Sequence, residues 1–183
     1  FDPVDPRITS DGFNEVSWTT CSPPLPGKFI DLWFWRPAPT PSRLLSTLDP
    51  KEKARANRFR NERVCTVFVS AHAGLRHILA SYLNQAPETL RFTEIGNGKP
   101  ILENREDTPP LHFNLSHTKN AILLGVSQLT ELGVDMEQTR EDIRANPIAK
   151  RYFHPREQTA IEEADKNERV PLFHRFWTLK EAA

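Results

Sequence analysis

Apolar residues recur along this chain with two different periods, and each period predicts a different kind of element. Between residues 62 and 83 they return every three or four positions, which is the spacing of one buried helix face. The residues on this face are Val64, Phe68, Ala71, Leu75, Ile78 or Leu79, and Tyr82. The pattern therefore predicts one long helix over about 62–83, and we predict a shorter one near 50–58.

The second period is the alternation typical of strands. In LHFNLSH, residues Leu111, Phe113 and Leu115 face one side, and the segments AILLGVS and ELGVDME follow after short gaps. These three segments predict three successive strands of an antiparallel meander. A further strand is predicted in FIDLWFW at 29–35.

Prolines mark the remaining segments. The chain has 16 of them, and many lie in the first fifty residues, on both sides of the strand predicted at 29–35. We interpret the irregular stretch over residues 1–28 as an N-terminal arm. Near the other end, Pro147, Pro155 and Pro171 stand where the first turn of a helix tolerates proline. The tail is therefore predicted to be helical, so the chain combines helices and strands.

Composition narrows the classes of function. Of the 183 residues, 38% are apolar, which is enough for a hydrophobic core. Basic and acidic side chains each number 24, so no overall field favours nucleic acid or a membrane as a partner. Cys21 and Cys65 have neither disulfide-framework nor zinc-site spacing. With no signal-peptide pattern and no apolar stretch near the roughly 18 residues of a membrane span, we expect a cytoplasmic protein.

Two carboxylates one residue apart, Asp135 and Glu137, close the segment ELGVDME. In an extended segment they project to the same side, about 6–7 Å apart. At an effective dielectric of about 20, their repulsion is on the order of 2–3 kcal/mol. Two interpretations stay open at this point: a solvated strand end, and a site for a hard divalent cation such as Mg²⁺, which binds carboxylate oxygens.

Three other segments carry polar groups whose roles the residues alone leave open. Lys99, in the glycine turn GNGKP, is either solvated or in contact with a phosphate or a flat ring. Ser116 and His117 end the segment FNLSH, and such a pair is more often structural than catalytic. Lys180 and Glu181, in WTLKEAA, are either solvated or part of a site.

The order of these motifs is more informative than any one of them. GKP, FNLSH, GVDME and WTLKEA follow one another over residues 98–182. This series resembles the 4′-phosphopantetheinyl transferase superfamily, in the broad-specificity class similar to the activators of surfactin and other peptide synthetases. RYFHPREQ and LDPKEKARANRF resemble two further segments of that family, so the similarity covers about residues 29–183.

The resemblance implies an α+β fold with two pseudo-symmetric halves. Each half is a small antiparallel sheet packed on a long helix, and the active site lies in the cleft between them. We expect an N-terminal half at 29–109 and a C-terminal half at 110–183, after the arm at 1–28. Relatives continue beyond KEA, so we expect the C-terminal half to be incomplete here. VCTVF at 64–68 also lacks basic residues that the family commonly has there.

The implied activity is a Mg²⁺-dependent transfer. The 4′-phosphopantetheine arm of coenzyme A, the co-substrate, moves to a serine of an acyl or peptidyl carrier protein, and adenosine 3′,5′-bisphosphate is released. A monomer is expected. The alternative is a catalytically weak module that binds a carrier protein or coenzyme A. A nucleic-acid binder using the ARANRFR cluster is a third interpretation, which the zero net charge disfavours.

The same resemblance implies roles for individual residues. Asp135, Glu137 and Glu181 are the implied Mg²⁺ ligands. Glu181 is also the implied base for the serine proton, and Lys180 would offset charge on the diphosphate. The implied coenzyme-binding residues are Arg55 at the 3′-phosphate, Lys99 and Pro100 with Gly98 on the adenine side, and Ser116 and His117 at the phosphates.

Overall fold

The computed structural model describes residues 30–37, 42–95, 99–103, 110–141, 143 and 145–183. Its strands are β1 Ile30–Trp35, β2 Phe92–Ile95, β3 Lys99–Leu102, β4 His112–His117 and β5 Ile122–Ser127. Its helices are α1 Ser42–Thr47, α2 Pro50–Ala56, α3 Glu62–Leu83, α4 Ala145–Tyr152, α5 Pro155–Glu163 and α6 Arg169–Glu181. This mixture confirms the predicted α+β class. The predicted arm at 1–28 lies outside the described residues.

The long helix α3 has the predicted bounds. Asn61 caps its start, where the side chain accepts a hydrogen bond from the Val64 N–H at 3.2 Å. Asn84 ends it in the left-handed conformation, with φ of 50°. Most of the predicted apolar face is buried, including Phe68 and Leu75, but Val64 is 47% exposed because the first turn extends beyond the core.

By length and composition alone, α3 is also apolar enough to cross a membrane. The expectation that no apolar stretch reaches this length is therefore wrong for this helix. However, 67% of its 18-residue apolar window is buried inside the protein. That burial is expected of the central helix of a core, and it accounts for the apolar composition.

A three-stranded antiparallel sheet in the order β1-β5-β4 contributes the other side of the main core. At one end of this sheet, Trp35, Ile122 and His117 lie side by side on the three strands. Strands β2 and β3 form a separate two-stranded sheet.

This arrangement differs from the expectation of one sheet in each half. Strand β1 belongs to the predicted N-terminal half, and β4 and β5 belong to the C-terminal half. Because β1 pairs with β5 along all six residues from Ile30 to Trp35, the sheet crosses the expected boundary at 109/110. The boundary itself and the pseudo-symmetry stay predictions.

The predicted third strand at 131–137 is wrong, because residues 131–140 have no strand structure. The Val134 N–H donates to Asn114 Oδ1 at 2.8 Å, and the Met136 N–H donates to Ser116 Oγ at 3.1 Å. Side chains of β4, instead of its backbone, accept these hydrogen bonds. The segment is therefore held along β4 without forming a backbone ladder.

The helical tail is confirmed. Pro155 opens α5, and Pro147 and Pro171 each stand third in α4 and α6, where a missing N–H leaves no intrahelical hydrogen bond unmade. The three helices bury a cluster of their own around Phe153, Ile161 and Phe173. The end of α6, which carries Lys180 and Glu181, is positioned by this cluster.

Candidate active site

A cleft of about 640 Å³ lies between α2, α3 and the two-stranded sheet. We call it the α2–α3 cleft. The residues that line it include Arg55, Phe68, His72, Phe92, Pro100 and Glu103. Two of the predicted coenzyme-binding residues, Arg55 and Pro100, therefore line one cavity although they are 45 positions apart in the chain.

Helix α2 positions Arg55, and its start is fixed by a capping box. Asp49 Oδ1 accepts a hydrogen bond from the Glu52 N–H at 2.8 Å, and Glu52 Oε2 accepts one from the Asp49 N–H at 2.8 Å. The Arg55 guanidinium lies 5.1 Å from the centre of the Phe68 ring. Within the described part of the chain it has no carboxylate partner, so its charge is available to an anion.

A buried arginine, Arg76, stabilises the start of α2. Arg76 is 0% exposed and donates to Asp49 Oδ2 at 2.9 Å and to Glu52 Oε2 at 2.8 Å. It also donates to the carbonyl oxygens of Pro87 and Leu90. Sequence analysis missed this residue. Its signal is a lone arginine within the apolar run GLRHILA, where a buried charge requires partners from elsewhere.

His72 extends this set of contacts into the cleft. Its Nδ1 lies 2.8 Å from Glu52 Oε1, and its ring centre is 4.1 Å from that of Phe68. Burial raises the pKa of Glu52, but hydrogen bonds from His72 and the Asp49 N–H and the charge of Arg76 outweigh it, so this pKa is lowered. Glu52 is therefore a carboxylate at neutral pH. Asp49, Glu52, His72 and Arg76 are called the α2–α3 network below.

His117 lies at the end of β4, close enough to the cleft for its charges to act on it. Desolvation by burial lowers the pKa of the imidazole, and the positive charges of His72 and Arg55 lower it further. Three basic side chains from three different elements thus share one region. Carboxylates line the same cleft, but Asp49 and Glu52 are paired with Arg76, and Glu52 also with His72. A phosphate bound between Arg55 and His117 would relieve the repulsion between these two cations. The predicted contact between His117 and a phosphate stays a prediction.

The predicted acidic residues lie on the segment that follows β5. Asp135 Oδ1 accepts a hydrogen bond from the Ser116 hydroxyl at 2.9 Å. Asp135 Oδ2 is buried and has no hydrogen-bond partner among the described residues. The only hydroxyl hydrogen of Ser116 is therefore directed at Asp135, and its predicted phosphate contact stays a prediction. We call residues 131–140 the acidic segment.

Two glycines allow the acidic segment to pack closely, at Gly133 against the end of α6 and at Gly125 against β5. A Cβ on Gly133 would lie 1.6 Å from the Ala182 carbonyl oxygen, and one on Gly125 would lie 2.5 Å from Leu132 Cδ1. No side chain fits at either position without movement. Since Glu181 precedes Ala182, the end of α6 that carries it lies next to the acidic segment.

The three predicted metal ligands are nevertheless not grouped. Glu137 and Glu181 are exposed. Within the described residues, no set of three or more His, Cys, Asp or Glu side chains is arranged to hold a metal ion. The structure thus brings together the two backbone segments that carry these acids, but not their three carboxylates. The metal assignment stays a prediction.

Lys180 points toward α5. Its Nζ lies 2.9 Å from Glu157 Oε2 and 5.6 Å from the Phe153 ring centre. The hydrogen bond from Lys180 lowers the pKa of Glu157. Ion pairs this exposed are typically worth about 1 kcal/mol or less, so Lys180 can exchange partners at little cost. Its predicted catalytic role is untested.

Lys99 and Pro100 are successive residues of β3, so their side chains leave opposite faces of the strand. Pro100 lines the α2–α3 cleft, whereas Lys99 lines a smaller cavity of about 190 Å³. The Lys99 ammonium donates to the Leu132 carbonyl oxygen at 3.4 Å. Lys99 therefore contacts the acidic segment. Gly98 lies outside the described residues.

Two models of known protein families match this chain. The model of the family described as "4′-phosphopantetheinyl transferase, N-terminal" matches residues 34–128. The model described as "4′-phosphopantetheinyl transferase superfamily" matches residues 131–183. The first match runs from the end of β1 through β5, and the second covers the acidic segment and the helical tail.

Individual relatives carry the same description. The chain is 37% identical over 139 residues to 4′-phosphopantetheinyl transferase HetI of Nostoc sp., covering 76% of this chain and 59% of the relative. It is 25% identical over 140 residues to 4′-phosphopantetheinyl transferase Sfp of Bacillus subtilis, covering 76% and 60%. It is 27% identical over 157 residues to L-aminoadipate-semialdehyde dehydrogenase-phosphopantetheinyl transferase of Rattus norvegicus, covering 81% and 51%.

The matched regions span a little over half the length of these relatives. The N-terminal family model alone covers more than half of this chain, and the order of motifs continues through the second match. These matches confirm the resemblance that the motifs indicate. The chain belongs to the 4′-phosphopantetheinyl transferase superfamily.

Proposed function

We propose that this protein transfers the 4′-phosphopantetheine arm of coenzyme A to a serine of an acyl or peptidyl carrier protein. The observation that carries this proposal is the α2–α3 cleft. The cleft contains Arg55, which has no carboxylate partner among the described residues, beside His72 and Pro100. The charges of Arg55 and His72 act on His117. Four carboxylates also line the cleft, those of Asp49, Glu52, Glu94 and Glu103. Since Asp49 and Glu52 are paired with Arg76, Arg55 stays free to meet a phosphate of coenzyme A.

The reaction is a phosphoryl transfer, in which positioning and charge neutralisation matter most. The serine oxygen forms a bond to the phosphorus next to pantetheine. The bond from that phosphorus to the bridging oxygen breaks, and its electron pair leaves on adenosine 3′,5′-bisphosphate. The proton of the serine passes to a base, and Glu181 is our candidate for that base. Arg55 and His117 would hold phosphate oxygens throughout.

We further propose that Asp135, Glu137 and Glu181 hold Mg²⁺. The support is twofold. Asp135 Oδ2 is buried and has no hydrogen-bond partner among the described residues, and the close approach of Gly133 to Ala182 brings the acidic segment next to the end of α6. Carboxylate oxygens are the ligands that Mg²⁺ prefers. When bound, the ion would neutralise charge on the diphosphate. Ser116 would hold Asp135 in place by the hydrogen bond described above.

The experiment combines the protein with coenzyme A, Mg²⁺ and an apo acyl or peptidyl carrier protein, and then measures the mass of the carrier. We expect the carrier to gain one phosphopantetheine arm, and to gain none when Mg²⁺ is replaced by a chelator. Equilibrium binding of coenzyme A is measured in parallel. Binding without any mass gain would contradict the proposed transfer and would favour the alternative, a binding module that retains the fold.

That alternative has one specific observation in its favour, which is the absence of a grouped set of three carboxylates among the described residues. The module would bind coenzyme A through the α2–α3 cleft and would not need the acidic segment. The mass measurement therefore separates the two functions. The expected monomeric state and cytoplasmic location stay predictions.

A further inference from the structure

A second cleft, of about 570 Å³, opens where β1 ends and the β4–β5 turn begins. Three basic side chains from three different elements line it. Arg36 follows β1, Arg63 lies in the first turn of α3, and Lys119 lies in the β4–β5 turn. No carboxylate of the described residues lines this cleft. We call it the basic cleft.

The basic cleft concentrates charge that the chain as a whole does not have. The net charge of the sequence is zero, so three basic side chains without an acid are a local excess. Arg63 also stands at the positive end of the α3 dipole, where a cation disfavours the helix. Arg63 is nevertheless held there, because its Nη2 donates to Asn120 Oδ1 at 2.5 Å. This position costs helix stability and adds to the positive potential.

The arrangement of these three cations fits a protein surface better than a small anion. Arg36, Arg63 and Lys119 are all exposed, and they surround a floor formed by Phe34, Pro37 and Val67. A buried anion site would need donors that converge on one point. An open basic rim around an apolar floor is instead the usual composition of a protein–protein interface.

The position of the basic cleft relates it to the proposed reaction. Trp35, Ile122 and His117 lie side by side on adjacent strands. Two strand spacings, about 10 Å, therefore separate the end of β1 from His117. Lys119 follows His117 by two residues in the chain. A protein bound in the basic cleft would thus lie beside the basic residues of the α2–α3 cleft.

We propose that the basic cleft docks an acidic face of the protein that carries the acceptor serine. This inference rests on the proposed function, because it assigns the acceptor of that reaction to a surface. Opposite charges would steer the encounter and fix the orientation of the acceptor. The coenzyme would bind separately, in the α2–α3 cleft.

The test uses the double charge reversal Arg63→Glu with Lys119→Glu, and the matched control Lys166→Glu, which reverses an exposed charge in the turn between α5 and α6. The probe is an apo acyl carrier protein. Its binding is measured by titration without coenzyme, at low and high salt, and its KM is measured in the transfer assay. We expect the double reversal to weaken binding and raise this KM roughly tenfold or more. The KM for coenzyme A should change less than about twofold.

The outcomes separate this inference from the proposed function. If the protein transfers the arm and the double reversal keeps the carrier KM of the Lys166→Glu control, docking in the basic cleft is contradicted while the activity stands. If the KM for coenzyme A rises instead, the cleft binds the coenzyme and the inference is again wrong. If the protein transfers nothing, the binding of the carrier protein tests the docking. Salt-sensitive binding that is lost in the double reversal supports docking in the basic cleft. Binding that is the same in the double reversal as in the unmodified protein contradicts it. Unchanged circular dichroism shows that the variants are folded.

Discussion

The α2–α3 network and the acidic segment both place charged groups in partly buried positions, but they balance those charges differently. In the network, Arg76 has two carboxylate partners, and Glu52 also pairs with His72. In the acidic segment, Asp135 Oδ2 is buried without a partner among the described residues. The network is therefore complete without a ligand, whereas the acidic segment has a buried oxygen open to the cation that we propose. On that proposal, one region mainly stabilises the fold and the other mainly serves the reaction.

The largest effect that this comparison predicts concerns Arg76. The variant Arg76→Met keeps much of the volume of the side chain but leaves Asp49 and Glu52 without their buried cation. Breaking a buried ion pair from one side typically costs about 3–5 kcal/mol. We expect a loss of that size in the free energy of unfolding, measured by urea denaturation.

Arg58→Met is the matched control, since Arg58 is exposed at the end of α2. We expect it to change the free energy of unfolding by less than about 0.5 kcal/mol. Equal losses in the two variants would mean that the buried pairs do not brace the fold, and the contrast between the two regions would disappear.

The second prediction concerns the other region. Asp135→Asn keeps an oxygen that accepts the Ser116 hydrogen bond but removes the negative charge. We expect kcat for transfer to fall by roughly a hundredfold or more, because a metal ligand would be lost. The affinity for coenzyme A should change much less. The free energy of unfolding should stay the same or rise, since a partly buried charge with an unpaired oxygen is removed.

Glu131→Gln serves as its control, because Glu131 is exposed on the same segment but lies before the GVDME motif. It should leave both transfer and stability unchanged. A transfer rate near that of the unmodified protein in Asp135→Asn would rule out Asp135 as a metal ligand. A large loss of stability would instead assign Asp135 a structural role like that of Arg76.

How much of the fold could be predicted depended on the length and regularity of each element. The period of α3 extends over six turns, so its bounds were predicted correctly. Strands β2 and β3 have only four residues each, and the glycines between them suggested a turn and nothing more. The third strand was predicted wrongly because apolar alternation does not reveal whether the bonding partner is backbone or side chain, as Asn114 and Ser116 are here.

The candidate site, too, could be predicted only in part from the sequence. The resemblance predicts Arg55 and Pro100 as coenzyme-binding residues, and they line one cavity. Their contact with the coenzyme stays a prediction. Sequence analysis missed His72 and Arg76, because a helix face predicts burial but not the partner that makes a buried charge acceptable. The direction of Lys180 toward Glu157 could not be predicted either. It depends on how α5 packs against α6, and this contact is not encoded in either helix alone.

The third prediction tests whether the braced network serves coenzyme binding. Arg55→Ala removes the cation that α2 presents to the α2–α3 cleft and that has no carboxylate partner among the described residues. We expect the KM for coenzyme A to rise roughly tenfold with a smaller change in kcat, because a binding contact is lost. A dephospho form without the 3′-phosphate should be affected less. Equal effects on both forms would remove Arg55 from the 3′-phosphate, and Lys53→Ala, on the same helix, is the control.

The smallest effect is a change in how stability depends on pH. The pKa of His117 lies below its ordinary value of 6.5, through burial and the positive charges of His72 and Arg55. Between pH 6.5 and the lowered pKa, the unfolded chain therefore binds more protons than the folded protein. The free energy of unfolding falls as the pH drops through this range. In His117→Gln this fall should be smaller, as measured by urea denaturation above and below pH 6.5.

The control is His112→Gln, at the other end of β4, which should keep the pH dependence of the unmodified protein. Inorganic phosphate should also reduce the fall in the unmodified protein, because an anion beside the imidazole favours its charged form. An identical pH dependence in both variants would mean that these basic side chains do not act on His117, and the cleft would then lose part of the positive charge that favours a coenzyme.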